Sequence, residues 1–265
     1  HMTCSFGFNA ILFSFCPTLY PSLTDEQQKV EIDRGLLGQV LLPIAACFSG
    51  QLILSNLAFL HSSVAFLLMM KESNVVLVYL FSLVLGLECF GWKRAWVLLF
   101  IVMATALTIH GEMHFSAAGF TTQGFSMLFE SMKLTLQSYS LSATGKRLDA
   151  LTYVMLVAPL VFLVLGILLL LLALLWPGRP EALSFPPWPK IADYKWLLLA
   201  NGCLAFAMNI SHALFIKNSS AITFILTGII LKDVMIVVVG SLIFGRQMSV
   251  LQEGGFAMQL MGVLI

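Results

Sequence analysis

The stretch AITFILTGIILKDVMIVVVGSLIF, Ala221 to Phe244, is almost wholly apolar, yet Lys232 and Asp233 lie side by side near its middle. A run of this length can cross a bilayer as a helix, because about 20 apolar residues span the hydrocarbon core. A charged side chain near the midplane costs about 2.5 to 3.5 kcal/mol on insertion scales. We therefore expect this pair to mark a functional site, with a structural ion pair between helices as the alternative.

The composition of the whole chain predicts a polytopic, all-α membrane protein. Hydrophobic residues make up 59% of the sequence and charged residues 10%, with a mean hydropathy of +0.95. Soluble domains carry about 25% charged residues. The five cysteines form no CxxC pair, and the net charge of +1 gives no indication of a nucleic-acid partner. We predict no cofactor and no metal site.

Nine apolar segments follow one another along the chain, separated by charges, prolines or glycines. They run from about 3–22, 36–59, 64–87, 95–110, 116–140, 150–176, 195–216, 220–244 and 250–265. The first begins and the last ends with the chain itself, so we expect a further helix before residue 1. The fifth segment is the least apolar, since Gln123, Glu130, Lys133 and Gln137 lie in it, and we expect one side of it to face a wet interior.

The basic residues between these segments favour one orientation. If successive segments alternate sides, Lys29, Arg34, Lys93, Arg94, Lys146, Arg147 and Lys217 share one face of the membrane. Fewer basic residues lie on the other face. The positive-inside rule then predicts a cytosolic C-terminus.

An internal repeat relates two parts of the chain. The stretch NLAFLHSSVAF (Asn56 to Phe66) precedes Lys71, and SHALFIKNSSAITF (Ser211 to Phe224) precedes Lys232. In each, we expect a helix to end at a Ser-Ser pair and the next helix to carry a lysine within the membrane. About five helices separate the two pairs, so the halves would insert with opposite orientation, as in inverted-repeat transporters. Alternatively, the Ser-Ser pairs are ordinary turns.

Four longer stretches carry a resemblance to a known family. They are SSVAFLLMMKESNVVLVYLFSLVLGLE (Ser62 to Glu88), GEMHFSAAGF (Gly111 to Phe120), FESMK (Phe129 to Lys133) and the most specific one, Leu204 to Gly245. Together they resemble the triose-phosphate and nucleotide-sugar transporter branch of the drug/metabolite transporter superfamily, over nearly the whole chain. The resemblance implies an alternating-access carrier of ten helices in two inverted five-helix repeats, with both termini in the cytosol. Residues 1–115 would then hold helices two to five, and 116–265 helices six to ten.

The resemblance also implies a phosphate site. Lys71 and Lys232 match two lysines that hold the phosphate in sugar-phosphate members of the family, and Lys133 matches a basic position in the sixth helix. Asp233 stands where those members have an arginine. This exchange removes a positive charge and adds a negative one, which argues against triose phosphate. The Lys-Asp pattern instead resembles a subgroup that clusters with nucleotide-sugar carriers.

Charge chemistry independently supports these candidate site residues. Lysines that converge in a low-dielectric cavity can neutralise a phosphate dianion. Glu130 lies three residues before Lys133 on one helical face, so the two can neutralise each other when the cavity is empty. Asp233 can do the same for Lys71 or Lys232. These charges would bind the substrate or gate the cavity.

Two further polar residues are weaker candidates. Asn209, in the seventh segment, can hydrogen-bond a base or a sugar hydroxyl, or join two helices. Glu112 lies in an H-x-E-x-H pattern at a predicted helix end, which differs from the HExxH zinc motif, so we expect a cap or a gate.

The predicted function is antiport of a phosphorylated organic anion, with a nucleotide sugar exchanged for a nucleoside monophosphate across a Golgi or endoplasmic reticulum membrane. One alternative is a sugar-phosphate/phosphate translocator of a plastid envelope. Another is a non-transporting membrane subunit that keeps the fold within a larger assembly, and a homodimer is also compatible with the sequence. An enzyme is not expected, because no nucleophile and base are placed together.

Overall fold

In the computed structural model, the described residues are 2–24, 34–71, 73–110, 115–141, 148–175, 188–225, 254–255, 257–258 and 261. Across these ranges the chain forms helices and turns, without a strand. Lys232, Asp233 and Glu112 lie outside them. The all-α prediction is confirmed for the described part of the chain.

The helices are labelled in chain order. They are α1 (Met2–Phe15), α2 (Pro21–Thr24), α3 (Arg34–Leu36), α4 (Leu42–His61), α5 (Val64–Lys71), α6 (Asn74–Val84), α7 (Trp92–His110), α8 (Ala117–Leu141), α9 (Ala150–Leu175), α10 (Trp188–Asp193), α11 (Lys195–Asn218) and α12 (Ala221–Thr223). A 3₁₀ turn at Pro17–Leu19 follows α1, and a π-helical turn at Leu37–Leu41 leads into α4.

Five stretches within the described residues are long and apolar enough to cross a membrane. They are Leu37–His61, Phe66–Val84, Trp92–His110, Ala150–Leu175 and Lys195–Asn218. Each coincides with an apolar segment predicted from the sequence, which confirms a multi-pass membrane protein. Helix α8 has 25 residues and is about 37 Å long, which is sufficient to span, but polar residues interrupt it.

The chain forms two compact units. The first comprises His1–Gly50 and Leu136–Ser219, and the second comprises Gln51–Thr135 and Ser220–Ile265. These units are defined by which residues pack together, whereas the predicted halves, 1–115 and 116–265, are defined by the repeat. The inverted repeat stays a prediction.

In the first unit, α1 packs against α9 and α11, which also contact each other. The rings of Phe8 and Phe206 lie 5.6 Å apart between α1 and α11. Helix α9 buries a row of small and branched side chains: Val154, Val157, Ala158 and Val161. This row makes α9 the centre of the first unit.

A buried carboxylate joins the start of α9 to α2. Asp149 caps α9, because its Oδ2 accepts from the backbone N–H of Thr152 at 2.8 Å and its Oδ1 accepts from the Thr152 hydroxyl at 2.6 Å. The backbone N–H of Ser22 donates to the same Oδ1 at 3.1 Å, and Ser22 Oγ accepts from the N–H of Asp149 at 2.8 Å. The charge is thereby satisfied without a cationic partner in the contacts described.

In the second unit, α5 and α6 pack against α7, and α12 contacts α6. Ala58, Phe66 and Leu67 form a buried cluster against which Ile109 and Phe120 pack. The predicted segment 64–87 corresponds to α5 and α6, and Glu72 between them lies outside the described residues. The Ser73 hydroxyl donates to the backbone carbonyl of Met70 at 2.8 Å.

Both Ser-Ser pairs separate helices and have the same capping chemistry. Ser63 Oγ accepts from the N–H of Phe66 at 3.2 Å, and Ser220 Oγ accepts from the N–H of Thr223 at 3.2 Å. In each pair the second serine therefore caps a new helix through the residue three positions on.

We expect Asp149→Ala to destabilise the protein by about 1 to 3 kcal/mol, because buried N–H groups of Ser22 and Thr152 lose their acceptor. The measurement is the thermal unfolding midpoint of detergent-solubilised protein. Asp193→Ala removes an exposed carboxylate of the same unit and is the matched control. Equal midpoints for the two variants would show that the Asp149 cap contributes nothing.

Candidate functional site

One face of α8 carries a row of four polar residues. Gln123, Ser126, Glu130 and Lys133 are separated by three, four and three residues, so at 100° per residue they lie within about 80° of one another around the helix. Along the axis this polar face extends for about 15 Å. Gln123 and Ser126 are fully buried. The sequence predicted polar residues on one side of this segment, and the helix places these four on one side.

Lys71 meets this polar face at Glu130. Its Nζ lies 3.8 Å from Oε2 of Glu130, and the two side chains are 17% and 13% exposed. The pair is thus a mostly enclosed ion pair between a short helix and the polar face of α8.

Lys133, one turn further along α8, bonds to α4. Its Nζ donates to Oε1 of Gln51 at 2.8 Å, and the Ser126 hydroxyl donates to the backbone carbonyl of Gln51 at 3.3 Å. Gln51 itself is buried. The Gln51 amide oxygen thereby orients the ammonium group of Lys133 on the polar face of α8.

A second polar contact joins α8 to α6. The Ser131 hydroxyl donates to Oδ1 of Asn74, and both side chains are buried. Asn74 is the first residue of α6, so this bond fixes α6 beside α8 immediately after the end of α5.

The structure brings together three of the predicted site residues. Lys71, Glu130 and Lys133 lie in the second unit, with the charge partner of Glu130 coming from another helix, Lys71 of α5. Asn209 lies half-buried in α11 of the first unit. The predicted contributions of Lys232, Asp233 and Glu112 concern residues outside the described ranges.

Three buried polar residues were missed by the sequence reasoning: Gln51, Asn74 and Ser131. Each is polar within an apolar segment, and that signal alone singles out too many residues. What distinguishes these three is the partner that each meets across a helix contact, which the sequence does not show.

Comparison with known proteins identifies the family of this chain. The sequence profile of the Triose-phosphate Transporter family matches residues 6–265. A probable sugar phosphate/phosphate translocator of Arabidopsis thaliana is 25% identical over 263 residues, which are 97% of this chain and 75% of that protein. A second one is 28% identical over 259 residues, covering 96% and 71%.

Nucleotide-sugar carriers also occur among the relatives. UDP-galactose transporter 1 of Arabidopsis thaliana is 29% identical over 226 residues, which are 84% of this chain and 64% of that protein. These matches confirm the resemblance drawn from Ser62–Glu88 and Leu204–Gly245. The chain belongs to the Triose-phosphate Transporter family, and it is accordingly a membrane transporter and not an enzyme.

Proposed function

We propose that this protein is an alternating-access antiporter that exchanges a nucleotide sugar for a nucleoside monophosphate. The observation that carries this proposal is the mostly enclosed ion pair of Lys71 of α5 and Glu130 of α8. Lys133 supplies a second ammonium group on the same face of α8 as Glu130. Two such cations suit a phosphorylated anion better than a neutral solute.

The ion pair with Glu130 neutralises Lys71 when no substrate is bound. An unpaired charge in a low-dielectric interior is costly, and Glu130 offsets that cost by lying against Lys71. A phosphate group approaching Lys71 takes the place of the Glu130 carboxylate. Lys133 then contributes the second ammonium, with its orientation set by Gln51. Substrate and carboxylate thus compete for the same cation.

This competition favours exchange over leak. With a substrate bound, the phosphate neutralises the lysines, so the loaded carrier can change its access from one side to the other. Without a substrate, the carrier must reform the ion pair first, and any lysine still unpaired opposes the conformational change. We therefore expect exchange to be faster than net transport, because forming the ion pair is an additional step for the empty carrier.

The choice of substrate class rests on Asp233 and on the relatives. A negative charge where sugar-phosphate carriers have an arginine disfavours a small sugar phosphate, and UDP-galactose transporter 1 is among the relatives. The second candidate is sugar-phosphate/phosphate exchange in a plastid envelope, which is favoured by the names of the probable translocators. Both candidates use the same phosphate-binding lysines.

We place the transporter in a Golgi or endoplasmic reticulum membrane, with its C-terminus in the cytosol. The orientation follows from the distribution of lysine and arginine between the segments. The ten-helix inverted repeat is part of the same proposal, and the common capping of α5 by Ser63 and α12 by Ser220 supports it.

Counterflow in proteoliposomes tests the proposed exchange. Vesicles loaded with UMP, GMP or inorganic phosphate are offered labelled UDP-sugars, GDP-sugars and sugar phosphates. We expect accumulation of a nucleotide sugar that depends on an internal nucleoside monophosphate, because a loaded site returns faster than an empty one. Uptake of sugar phosphate against phosphate alone would favour the second candidate, and no uptake of any phosphorylated solute would rule out both.

We expect Lys71→Gln to reduce exchange at least tenfold, because it removes a phosphate ligand and leaves Glu130 without its partner. Exchange rates and the thermal midpoint are measured together. Lys93→Gln, which changes an exposed lysine of the same unit, is the matched control and should exchange normally. Normal exchange by the Lys71 variant would show that this lysine is only a structural charge.

Glu130→Gln should have the opposite effect on binding. We expect the KM for the substrate to fall about three- to tenfold, because the phosphate no longer has to displace the Glu130 carboxylate from Lys71. Net uptake into unloaded vesicles should fall relative to exchange, since the empty carrier now has an unpaired lysine. If exchange, net uptake and the thermal midpoint instead fell in parallel, the pair would be a clamp between helices.

A further inference from the structure

Gln123 is a buried amide without a partner. Its side chain is 0% exposed, and neither its amide nitrogen nor its amide oxygen forms a hydrogen bond to the part of the chain that the structure describes. A glutamine amide can donate two hydrogen bonds and accept two, and buried polar groups almost always find at least one partner. An orphaned amide in this position therefore requires an explanation.

The orphaned amide lies on the polar face of α8. Gln123 precedes Glu130 by seven residues, which is two helical turns or about 10 Å along the axis. Ser126, the other uncharged residue of this face, already bonds to the carbonyl of Gln51. Within the described contacts, the side chain of Gln123 therefore forms no hydrogen bond.

A second orphaned group lies at the same end of the polar face. Ser62 Oγ is buried and makes no hydrogen bond in the described part of the chain. It lies against Gly119, one turn before Gln123, so closely that any side chain at Gly119 would overlap it. The turn between α4 and α5 therefore closes over this end of the face, and a glycine is what permits the close approach.

We infer that Gln123, assisted by Ser62, binds the uncharged polar part of the transported solute while Lys71 and Lys133 bind its phosphate. This inference rests on the proposed function. A phosphorylated sugar or nucleoside has hydroxyl or base groups some distance from its phosphate, and the amide offers them both a donor and an acceptor. Inorganic phosphate has no such part to reach Gln123.

The arrangement makes Gln123 a specificity-determining residue. A site that leaves an amide unpaired discriminates against a solute that cannot bond to it, because binding such a solute keeps the amide orphaned. Larger phosphorylated solutes satisfy the amide and gain affinity over inorganic phosphate. The lysines alone supply affinity for phosphate and no preference for what is attached to it.

The test compares solutes in purified protein and in proteoliposomes. Gln123→Met keeps the length of the side chain and removes the amide, and Gln123→Asn keeps the amide but withdraws it by one methylene. UMP, GMP and glucose 6-phosphate are each measured against inorganic phosphate, by ligand-induced shift of the thermal midpoint and by exchange KM. Thr121→Val changes an exposed residue on the opposite side of α8 and is the control.

We expect Gln123→Met to fold with an unchanged or raised thermal midpoint, because an orphaned amide is removed. The KM for the preferred organic phosphate should rise about three- to tenfold relative to that for inorganic phosphate. A change of this size corresponds to the loss of one hydrogen bond. Gln123→Asn should change the same ratio in the same direction. An equal change for all solutes, or no change in either variant, would overturn this role.

The wild-type protein separates this inference from the proposed function. If the wild type exchanges a phosphorylated solute and the ratio is insensitive to Gln123, only the role of Gln123 is wrong. If the wild type exchanges none of them, the proposed function fails and the role of Gln123 fails with it.

Discussion

The need to pair a lysine inside a membrane constrains the second unit more than any other interaction. Lys71 lies at the end of α5, and its charge is tolerated there because Glu130 of α8 lies 3.8 Å away. This contact requires α8 to turn its polar face toward α5, which in turn brings Ser131 to Asn74 and Lys133 to Gln51. The same rotation of α8 therefore satisfies the ion pair and both polar contacts of the site.

Much of the fold could be predicted from the sequence because membrane insertion depends on local composition. The apolar segments at 36–59, 95–110 and 195–216 became helices α4, α7 and α11, with ends near those expected. Hydropathy is a sum over neighbouring residues, and each membrane helix satisfies its backbone hydrogen bonds internally. The polar side of α8 was also predictable, since helical spacing alone places Glu130 and Lys133 on one face.

The polar contacts between helices could not be predicted in the same way. Gln51 and Lys133 are 82 residues apart, and Ser22 and Asp149 are 127 apart. Such pairs depend on the packing and axial register of helices, which hydropathy does not encode.

The capping serines allow the depths of the two lysines in the membrane to be compared under the predicted repeat. Lys71 follows its capping serine by eight residues, or about 12 Å of helix. Lys232 follows Ser220 by twelve residues, and although it lies outside the described part of the chain, the helix predicted over 220–244 would place it about 18 Å along. Helices that start from opposite surfaces of a hydrocarbon core about 30 Å thick would bring the two lysines to the same depth. The two spacings add up to the thickness of the core, so an inverted repeat can place both lysines where they hold one phosphate.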